Sequence, residues 1–407
     1  MSEFDRLSRL TQTNNQLLMA GKTVEQIKQI APCFPCYVYE REAITRQINY
    51  VKQHLPRQVK LHYAIKANPM PALVCHIAQY VDGLDVASHR EMMLALSTGM
   101  SADKISFAGP AKSQQELAAA IAAGVVLHVE SVTELQRIAL CAEVMATCAK
   151  VAIRVNPDFT LKGAGMKMSG GAKPFGIDAE LCAQVIRQFN NDLIEVIGLH
   201  IFSGSQTLSE EHLSSMQRQT LALAVKICTE AELIPKQINI GGGFGIPYFS
   251  RETALDLPLI CQALQCHLAT LPECLAEVEI HLELGRYLVA EAGTYLCEVT
   301  DKKISRGQTF LMTNGGMHHH LANSGNFGQV VRKNYPVILA NRVECSDVEQ
   351  VEICGPLCTP LDIVAAKVTL PKAEIGDVIA VLQSGAYGAS ASPCNFLSHP
   401  EVTELLL

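Results

Sequence analysis

Short apolar, β-branched runs alternate with longer amphipathic stretches over the first 285 residues. The runs have the length and composition of buried strands, and the stretches between them repeat apolar residues at helical spacing. Three stretches begin with Ser-x-x-Glu, at Ser88, Ser113 and Ser131, which is typical of a helix N-terminus. The eight strand-like runs are 60–67, 82–88, 104–110, 125–131, 151–157, 196–202, 237–243 and 278–285.

Eight strands that alternate with helices predict parallel pairing and an α/β fold of the (β/α)8 TIM-barrel type. The alternative is an open doubly wound sheet, but its first strand–helix turn would carry G-x-G-x-x-G, and here that turn carries Lys66. A barrel also places active-site residues at the carboxyl ends of its strands. Polar or glycine residues stand at six of these ends: Lys66, Asp85, Arg154, His200, Gly241–Gly243 and Glu283.

After Gly285 the helical periodicity fades, and strand-like pieces separated by turns follow. The N-terminal run CYVYE (36–40) has no place among the eight barrel strands, so we assign it to the same region. We predict a barrel domain over 42–286 and a C-terminal mainly-β domain formed by 1–41 and 287–407. The strand-like pieces of the latter are 294–304, 308–314, 348–356, 365–371 and 377–385.

The composition predicts a large hydrophobic core and argues against nucleic acid as a binding partner. Of 407 residues, 48% are hydrophobic and 18% are charged, which excludes a disordered chain. A net charge of −7 with scattered basic residues argues against nucleic acid. The longest apolar stretch, 117–127, is too short to span a membrane, and the N-terminus has no apolar signal segment. We therefore expect a cytoplasmic protein.

The fifteen cysteines favour reduced thiols over a disulfide framework, because their number is odd and many stand singly in apolar segments. Cys33 and Cys36 form a CxxC that precedes a strand-like run and has no second pair. A redox or zinc site is therefore the less favoured interpretation of this pair, and we predict no metal site.

Three features at the strand ends together indicate a cofactor-binding site. Lys66 ends an apolar run, where desolvation would free an amine for a Schiff base, although a lysine reaching solvent at the barrel rim is commoner. Gly241–Gly243 lets backbone N–H groups approach a phosphate, and Glu283 requires a cationic partner. A lysine, an anion cradle and a carboxylate fit pyridoxal 5'-phosphate, which offers an aldehyde, a phosphate and a pyridine nitrogen. Cys358, in a Pro-containing turn, is a further catalytic candidate, with burial as the alternative.

The motifs YAIKANP, GLDVAS, GSQ, INIGGGFG, ELGR, CGPLC and SGAYG follow one another along the chain. In this order they resemble the fold-type III pyridoxal-phosphate decarboxylases, which include diaminopimelate, ornithine and arginine decarboxylases. The match covers nearly the whole chain. It implies an alanine-racemase-type barrel followed by a β domain, a small-molecule substrate, and a head-to-tail homodimer whose active sites are shared by both chains.

The resemblance also implies a role for each matching residue. Lys66 matches the lysine that binds the cofactor aldehyde, Glu283 the partner of the pyridine nitrogen, and Cys358 the catalytic cysteine lent by the neighbouring subunit. The positions that match cofactor contacts are Asp85, Arg154, His200 and Phe202 near the ring, and Ser205, Gly243, Gly285, Arg286 and Tyr387 near the phosphate.

Two positions depart from the family pattern. Diaminopimelate decarboxylases carry a second histidine in G-x-H-x-H-x-G-S-Q, where this chain carries Phe202, which can stack but cannot hydrogen-bond to a substrate carboxylate. After the catalytic cysteine the family carries Asp or Glu, which pairs with the charged far end of a free basic amino acid. Thr359 stands there in this chain and cannot supply that charge.

These departures favour a conjugated substrate, such as a citryl-amino acid of siderophore biosynthesis. The alternatives are diaminopimelate decarboxylation and decarboxylation of an aminoacyl group bound to a carrier protein. A degenerate binding protein is disfavoured, because the catalytic residues are kept. A citryl group would require basic partners, for which the run His318-His319-His320 is a candidate, with a polar loop as the alternative. The candidate substrate residues are Thr359, Asp362, His318, Arg332 and Tyr387.

Overall fold

A computed structural model of the chain describes residues 12–159, 166–167, 171–325 and 333–407. Within these ranges eight parallel strands pair in chain order, and the last pairs with the first, so that the sheet closes. The predicted (β/α)8 barrel is confirmed. Its strands are β1 Val59–Ala64, β2 Gly83–Val86, β3 Ile105–Phe107, β4 Val126–Val129, β5 Ala149–Asn156, β6 Ile194–His200, β7 Gln237–Gly242 and β8 Glu279–Leu284.

Helices connect the barrel strands and begin where the capping residues predict. The side chains of Ser88, Ser113 and Ser131 each accept a hydrogen bond from the backbone N–H three residues further on. At Ser113 the carboxylate of Glu116 in turn accepts a hydrogen bond from the backbone N–H of Ser113, which completes a capping box. The helices are α1 Pro71–Ile77, α2 His89–Ser97, α3 Gln114–Ala123, α4 Val132–Val144, α5 Ala179–Phe189, α6 Glu210–Ala231, α7 Leu257–Leu268 and α8 Arg286–Val289.

A buried ion pair ties the loop after β3 to α4. The Lys112 Nζ lies 2.7 Å from Glu134 Oε1, and both side chains are 2% exposed. The same Nζ donates to the carbonyl oxygens of Gly109 and His128. We expect Glu134→Gln to lower the free energy of unfolding by about 3–5 kcal/mol in urea titrations, because it leaves a buried ammonium without its counter-charge. The double variant Lys112→Met/Glu134→Leu should recover most of this loss, and a loss below ~1 kcal/mol in the single variant would contradict the prediction.

The described residues form two compact units. The barrel unit contains 47–246 and 254–287, and the mainly-β unit contains 12–46, 247–253 and 288–407. The segment 247–253 was not predicted in the β unit; there Tyr248 lies 4.5 Å from Tyr335 between ring centroids, and Gln383 donates to the carbonyl of Pro247.

One sheet dominates the β unit and contains all the strand-like pieces predicted after Gly285. The N-terminal run joins it as predicted, because Cys36–Tyr39 pairs antiparallel with Gly293–Ser305. Two short strands were not predicted, Val337–Leu339 and Thr403–Leu406, since three or four residues give no periodic pattern. In the described part, the strands are Cys36–Tyr39, Gly293–Ser305, Gln308–Thr313, Val337–Leu339, Val348–Cys354, Ile363–Pro371, Val378–Val381 and Thr403–Leu406.

Two helices precede the barrel, Val24–Ile30 and Arg41–His54. The first packs Val24 and Ile27 into the core of the β unit, beside Cys36. Burial raises the pKa of the Cys36 thiol to about 12, so this half of the CxxC is a core residue rather than a nucleophile. No helix in the described ranges has the length and apolar content needed to cross a membrane.

All fifteen cysteines lie in described ranges, and none of them forms a disulfide. Cys182, Cys228 and Cys261 are buried, as expected for core thiols. Others, among them Cys33 and Cys358, are exposed, so the core interpretation does not extend to the whole set.

Candidate active site

The side chains at the carboxyl ends of the barrel strands line one cavity. It is open to solvent, and its empty space together with the open solvent at its mouth amounts to about 380 Å³. Its polar lining is the set that the sequence predicted at strand ends, and Phe202 with several small apolar residues completes the wall. The lining residues are Ala64, Lys66, Asp85, Val86, Ala87, Ala108, Arg154, His200, Phe202 and Glu283.

Lys66 lies in a 3-10 turn, Ile65–Ala67, directly after β1. It is exposed, and its Nζ lies 5.5 Å from the ring centroid of Phe202. The turn packs closely on Gly285, where a Cβ would lie 2.8 Å from the Ala67 Cβ. The expectation that the barrel buries this lysine is therefore wrong, because β1 ends at Ala64, two residues before Lys66, and the turn presents the amine at the cavity.

Glu283 ends β8 as a buried carboxylate. Its Oε1 accepts a 2.6 Å hydrogen bond from Asn239 Nδ2 on β7 and lies 3.5 Å from His200 Nε2. Burial, and then the charge of Asp85, raises the pKa of Glu283 to about 7, against the opposing charge of Lys66. A carboxylate with such a pKa is suited to sharing a proton with a basic ring nitrogen.

Asp85, on β2, has its two carboxylate oxygens in different situations. Oδ1 accepts a hydrogen bond from Ser106 Oγ and lies 3.2 Å from His62 Nδ1. Oδ2 is buried and has no hydrogen-bond partner among the described residues. Burial raises the pKa of Asp85 to about 7, although the Ser106 hydrogen bond and the charge of Lys66 lower it. Asp85 therefore has one oxygen held in place and one available to a ligand.

Arg154, on β5, is held by a buried glutamate that the sequence analysis did not single out. Arg154 Nη1 lies 2.5 Å from Oε1 of Glu130, which follows β4. The Glu130 oxygens also accept backbone N–H bonds from Gly109 and Gly176, both 2.9 Å long. The guanidinium lies 5.0 Å from the ring centroid of Phe175. This network joins neighbouring strand ends and fixes the Arg154 side chain at the cavity wall.

His200 ends β6 and packs on a second buried histidine, His128, with 4.4 Å between ring centroids. In the described part of the chain, their ring nitrogens have no hydrogen-bond partners. Burial lowers the pKa of both rings well below the ordinary value, so both are neutral near pH 7. With Glu283 they place donor atoms within 4.8 Å of one another, a spacing that also suits a metal ion.

The glycine-rich loop after β7 lies against the GSQ segment after β6. A Cβ at Gly243 would lie 2.3 Å from the carbonyl oxygen of Gly204 and 3.6 Å from Ser205 Cα. Gly243 has φ +80°, and its carbonyl accepts a hydrogen bond from Thr207 N. The two predicted phosphate contacts, Ser205 and Gly243, are therefore neighbours, and only glycine fits at 243.

Gln206 joins these two loops through its side chain. Its Nε2 donates 2.6 Å to the Ile246 carbonyl, and its Oε1 accepts 3.3 Å from Ile246 N. Its backbone has φ +57°, in the left-handed region that non-glycine residues seldom adopt. The strain is held by these paired hydrogen bonds. Arg286 follows Gly285 and begins α8, in the half-buried range of exposure.

Tyr387 belongs to the β unit and has φ +54°. The SGAYG segment that carries it packs tightly on the chain after α8. A Cβ at Gly385 would lie 1.8 Å from the Val289 carbonyl oxygen, and Gly385 N donates to the Ala290 carbonyl. The glycine that precedes Tyr387 by two residues is therefore required by this close backbone approach.

The CGPLCTPLD turn presents Cys358 to solvent and is closed by Asp362. Cys358 is exposed and Thr359 is half-buried. The Asp362 carboxylate is 2% exposed and accepts backbone N–H bonds from Met317, at 2.6 Å, and Leu357, at 2.8 Å. Each Asp362 oxygen therefore helps to hold the turn, and the assignment of Asp362 as a substrate contact stays a prediction.

The histidine run is not a polar loop. His318, His319 and His320 are buried in the β unit, at 0%, 1% and 2% exposure. His319 Nε2 contacts the Pro400 carbonyl at 2.9 Å, and His320 Nε2 contacts Ser384 Oγ at 2.9 Å. A buried His318 offers no charge to a polyanion, because burial lowers its pKa to about 3. Arg332, the other basic candidate, lies outside the described residues.

The residues of the cavity region that were missed include His62, His128, Glu130 and Asn239. Each lies on a barrel strand or directly after it. His62 stands two residues before the cavity residue Ala64, His128 two before Glu130, and Asn239 two before Gly241. Because side chains of a strand alternate between its faces, a polar residue at this spacing points toward the barrel interior. That alternation is the signal that could have found them.

A comparison with protein families identifies the chain. A family model described as "Pyridoxal-dependent decarboxylase, pyridoxal binding domain" matches residues 41–290. The chain belongs to the pyridoxal-dependent decarboxylases. It is a carboxy-lyase whose cofactor is pyridoxal phosphate, as the motifs predicted.

Relatives of different specificity cover almost the whole length. L-glutamyl-[BtrI acyl-carrier protein] decarboxylase of Niallia circulans is 35% identical over 378 residues, 91% of this chain and 88% of its own. 2-[(L-alanin-3-ylcarbamoyl)methyl]-2-hydroxybutanedioate decarboxylase of Staphylococcus aureus is 30% identical over 390 residues, 93% of this chain and 95% of its own. The crystal structure of diaminopimelate decarboxylase from M. jannaschi superposes with a TM-score of 0.89 at 25% identity, covering 98% and 92% of the two chains.

The geometry fits this cofactor. The aldehyde requires an accessible amine, which the exposed Lys66 provides. The pyridine nitrogen requires a carboxylate that can share its proton, which Glu283 provides because its pKa is raised to about 7. The loop at Gly243, where a Cβ would clash, brings backbone close to Ser205 as a phosphate cradle requires. Since the ring nitrogen requires Glu283, we interpret the His128–His200–Glu283 group as part of the cofactor site rather than a metal centre.

Proposed function

We propose that this decarboxylase acts on an amino acid whose far end is covalently joined to a larger group. The observation that carries the proposal is Thr359, which stands where the family places an acidic residue for a distal ammonium. Loss of a charged partner in a desolvated site weakens binding by about 2–5 kcal/mol. Two relatives act, by their names, on conjugated amino acids, which supports the same conclusion.

The barrel supplies the residues that hold the cofactor. When bound, the cofactor supplies an electron sink for the carbanion left by departing CO₂. Lys66 would hold it covalently, and Glu283 would hold the proton at its ring nitrogen, with Asn239 orienting the carboxylate. The contacts proposed near the ring are Asp85, Arg154, His200 and Phe202, and those near the phosphate are Ser205, Gly243, Gly285, Arg286 and Tyr387.

The β unit supplies the acid. Cys358 is exposed on a turn that Asp362 fixes, and a thiol in this position can deliver the proton to Cα after CO₂ departs. In the family pattern this cysteine comes from the neighbouring subunit. We therefore infer a homodimer in which each chain lends Cys358 and Thr359 to its partner's barrel. The free cysteines favour a reducing compartment such as the cytoplasm.

The substrate must keep its α-amine and α-carboxylate free, because the amine joins the cofactor and the carboxylate leaves. Conjugation is therefore at the side chain. We favour a citryl-amino acid of siderophore biosynthesis or a carrier-bound aminoacyl group over free diaminopimelate. The 35% identical relative favours the carrier-bound form, and the 30% identical one favours the citryl form. Arg332 and Tyr387 remain candidate contacts for the conjugate.

A CO₂-release assay separates these substrates. We expect kcat/KM for free diaminopimelate, ornithine, lysine and arginine to lie at least ~100-fold below that for one conjugate, because Thr359 gives a distal ammonium no partner. The conjugates to compare are a citryl-diaminopropionate and a glutamyl thioester joined through its side-chain carboxyl. Thr359→Glu is the matched variant and should raise turnover of free diaminopimelate. Rapid turnover of diaminopimelate by the unmodified enzyme, with none of either conjugate, would overturn the proposal.

A further inference from the structure

The interior of the barrel carries polar rings at positions that barrels usually fill with branched apolar side chains. His62 on β1, His128 on β4 and His281 on β8 are all buried. Two of them contact cavity residues directly, His62 at Asp85 and His128 at His200. A buried polar side chain on a barrel strand normally has a hydrogen-bond partner or a functional role. The cofactor contacts assigned above do not include His62.

The ring of His62 is confined on two sides. It stacks on His281, with 4.3 Å between centroids and 29° between planes. On another side it lies against the backbone of Gly83, where a Cβ would be 2.4 Å from His62 Cε1. Only glycine at 83 leaves room for the ring. These two contacts fix the plane of the His62 ring, and in that plane Nδ1 lies 3.2 Å from Asp85 Oδ1.

The same Asp85 oxygen also accepts the hydrogen bond of Ser106 Oγ. Two neighbours thus hold Oδ1 from β1 and β3, while Oδ2 stays buried without a partner in the described part of the chain. Asp85 and Lys66 line the same cavity. The charge of Lys66 also acts on Asp85 and lowers the pKa of its carboxyl, so the oxygen without a partner belongs to a group that already interacts with the lysine that we assign to the cofactor.

We infer that His62 is a positioning residue that holds the Asp85 carboxylate through Nδ1 and thereby stabilises the protonated linkage between Lys66 and the cofactor. This inference rests on the proposed role of Lys66. His62 is not among the residues that line the cavity, so we propose that it acts through Asp85.

The charges of these groups agree with that role. Burial lowers the pKa of His62 to about 4, so the ring is neutral near pH 7 and one tautomer donates from Nδ1. Burial raises the pKa of Asp85 to about 7. Each hydrogen bond to its ionised form opposes that rise, so removal of the His62 donor favours the neutral acid. The titratable groups that act on His62 or Asp85 are Lys66, Asp82, His128, Glu279, His281 and Glu283.

Two substitutions at His62 separate its hydrogen bond from its bulk. His62→Phe keeps a ring to stack on His281 but has no donor, whereas His62→Asn keeps an amide N–H near the position of Nδ1. In the holoenzyme, absorbance of the bound cofactor against pH reports protonation of its linkage to lysine. We expect His62→Phe to lower this midpoint by about one pH unit, the effect of one hydrogen bond to a charged group, and His62→Asn to keep it.

The other possible results distinguish a failure of the proposed role of His62 from a failure of the proposed function. An unchanged midpoint in His62→Phe, or equal shifts in both variants, would overturn the role of Nδ1. If His62→Phe does not fold, Ser106→Ala removes the other hydrogen bond to Oδ1 and should lower the midpoint in the same direction; no shift there would also overturn it. Failure of borohydride to trap the cofactor on Lys66 in the unmodified enzyme would instead refute the proposed function.

Discussion

Lys66→Ala is expected to lower kcat by roughly 10³-fold or more, the largest effect of any single substitution proposed for this protein. Lys66 is exposed in a turn whose other residues are buried, so alanine removes the amine without disturbing the core. The variant should also lose the absorbance of lysine-bound cofactor. Borohydride reduction followed by peptide mapping measures the same property directly in the unmodified enzyme, where the label should fall on Lys66.

Lys104→Ala is the matched control for this prediction. Lys104 is exposed in a comparable 3-10 turn, Ala102–Lys104, but that turn precedes a barrel strand and lies at the opposite end of the barrel. We expect its activity and cofactor spectrum to equal those of the unmodified enzyme. A reduced cofactor recovered on any other lysine, with Lys66 unlabelled, would show that the assignment is wrong.

The barrel and its cavity could be predicted because their signals are local and repeated. Each buried run determines a strand, each amphipathic stretch a helix, and eight repeats of this pair leave little choice of architecture. The topology then brings strand ends together regardless of their distance in sequence. Asp85 and Glu283 are almost two hundred positions apart, yet both line one cavity.

The environment of single polar side chains could not be predicted in the same way, because it depends on partners distant in sequence. The histidine run is polar in sequence, yet His319 is buried. Its carbonyl accepts a hydrogen bond from the hydroxyl of Tyr37, which lies 282 residues away in the sequence. From the sequence, Asp362 is a carboxylate in a turn with no evident partner, yet its Oδ1 accepts a hydrogen bond from the backbone N–H of Met317. Lys66 reads as part of a strand, and the turn that exposes it leaves no mark in the hydrophobic pattern.

Substrate choice illustrates a further limit. The departures at Phe202 and Thr359 are visible in the sequence, but they indicate what the site lacks rather than what it binds. Phe202 lines the barrel cavity, and Thr359 lies on the exposed turn of the β unit. A missing acidic partner excludes a class of substrates by charge, whereas the identity of the attached group depends on residues with no recognisable motif.

Glu283→Gln is expected to lower the decarboxylation rate by roughly 10²–10³-fold, because an amide cannot hold a proton at the ring nitrogen, and loss of such a buried charged partner is worth about 2–5 kcal/mol. Glutamine keeps the volume and the oxygen that accepts from Asn239. CO₂ release under saturating cofactor measures the effect. Glu277→Gln, two residues before β8 and exposed, is the matched control and should keep full activity.

The same substitution should stabilise the cofactor-free protein at alkaline pH, which separates a catalytic loss from a folding defect. Burial raises the pKa of Glu283 from 4.5 to about 7, so the folded state binds its proton more tightly than the unfolded state does. Below pH 4.5 this group is protonated in both states and has no effect. Between pH 4.5 and about 7 its ionisation progressively destabilises the fold, and above pH 7, where it is ionised in both states, the loss is on the order of 3 kcal/mol. Denaturant titrations at pH 5 and pH 8 should therefore show a gain for Glu283→Gln that is larger at pH 8. A loss of stability at both pH values, parallel to the loss of rate, would show that Glu283 acts through the fold rather than through the cofactor.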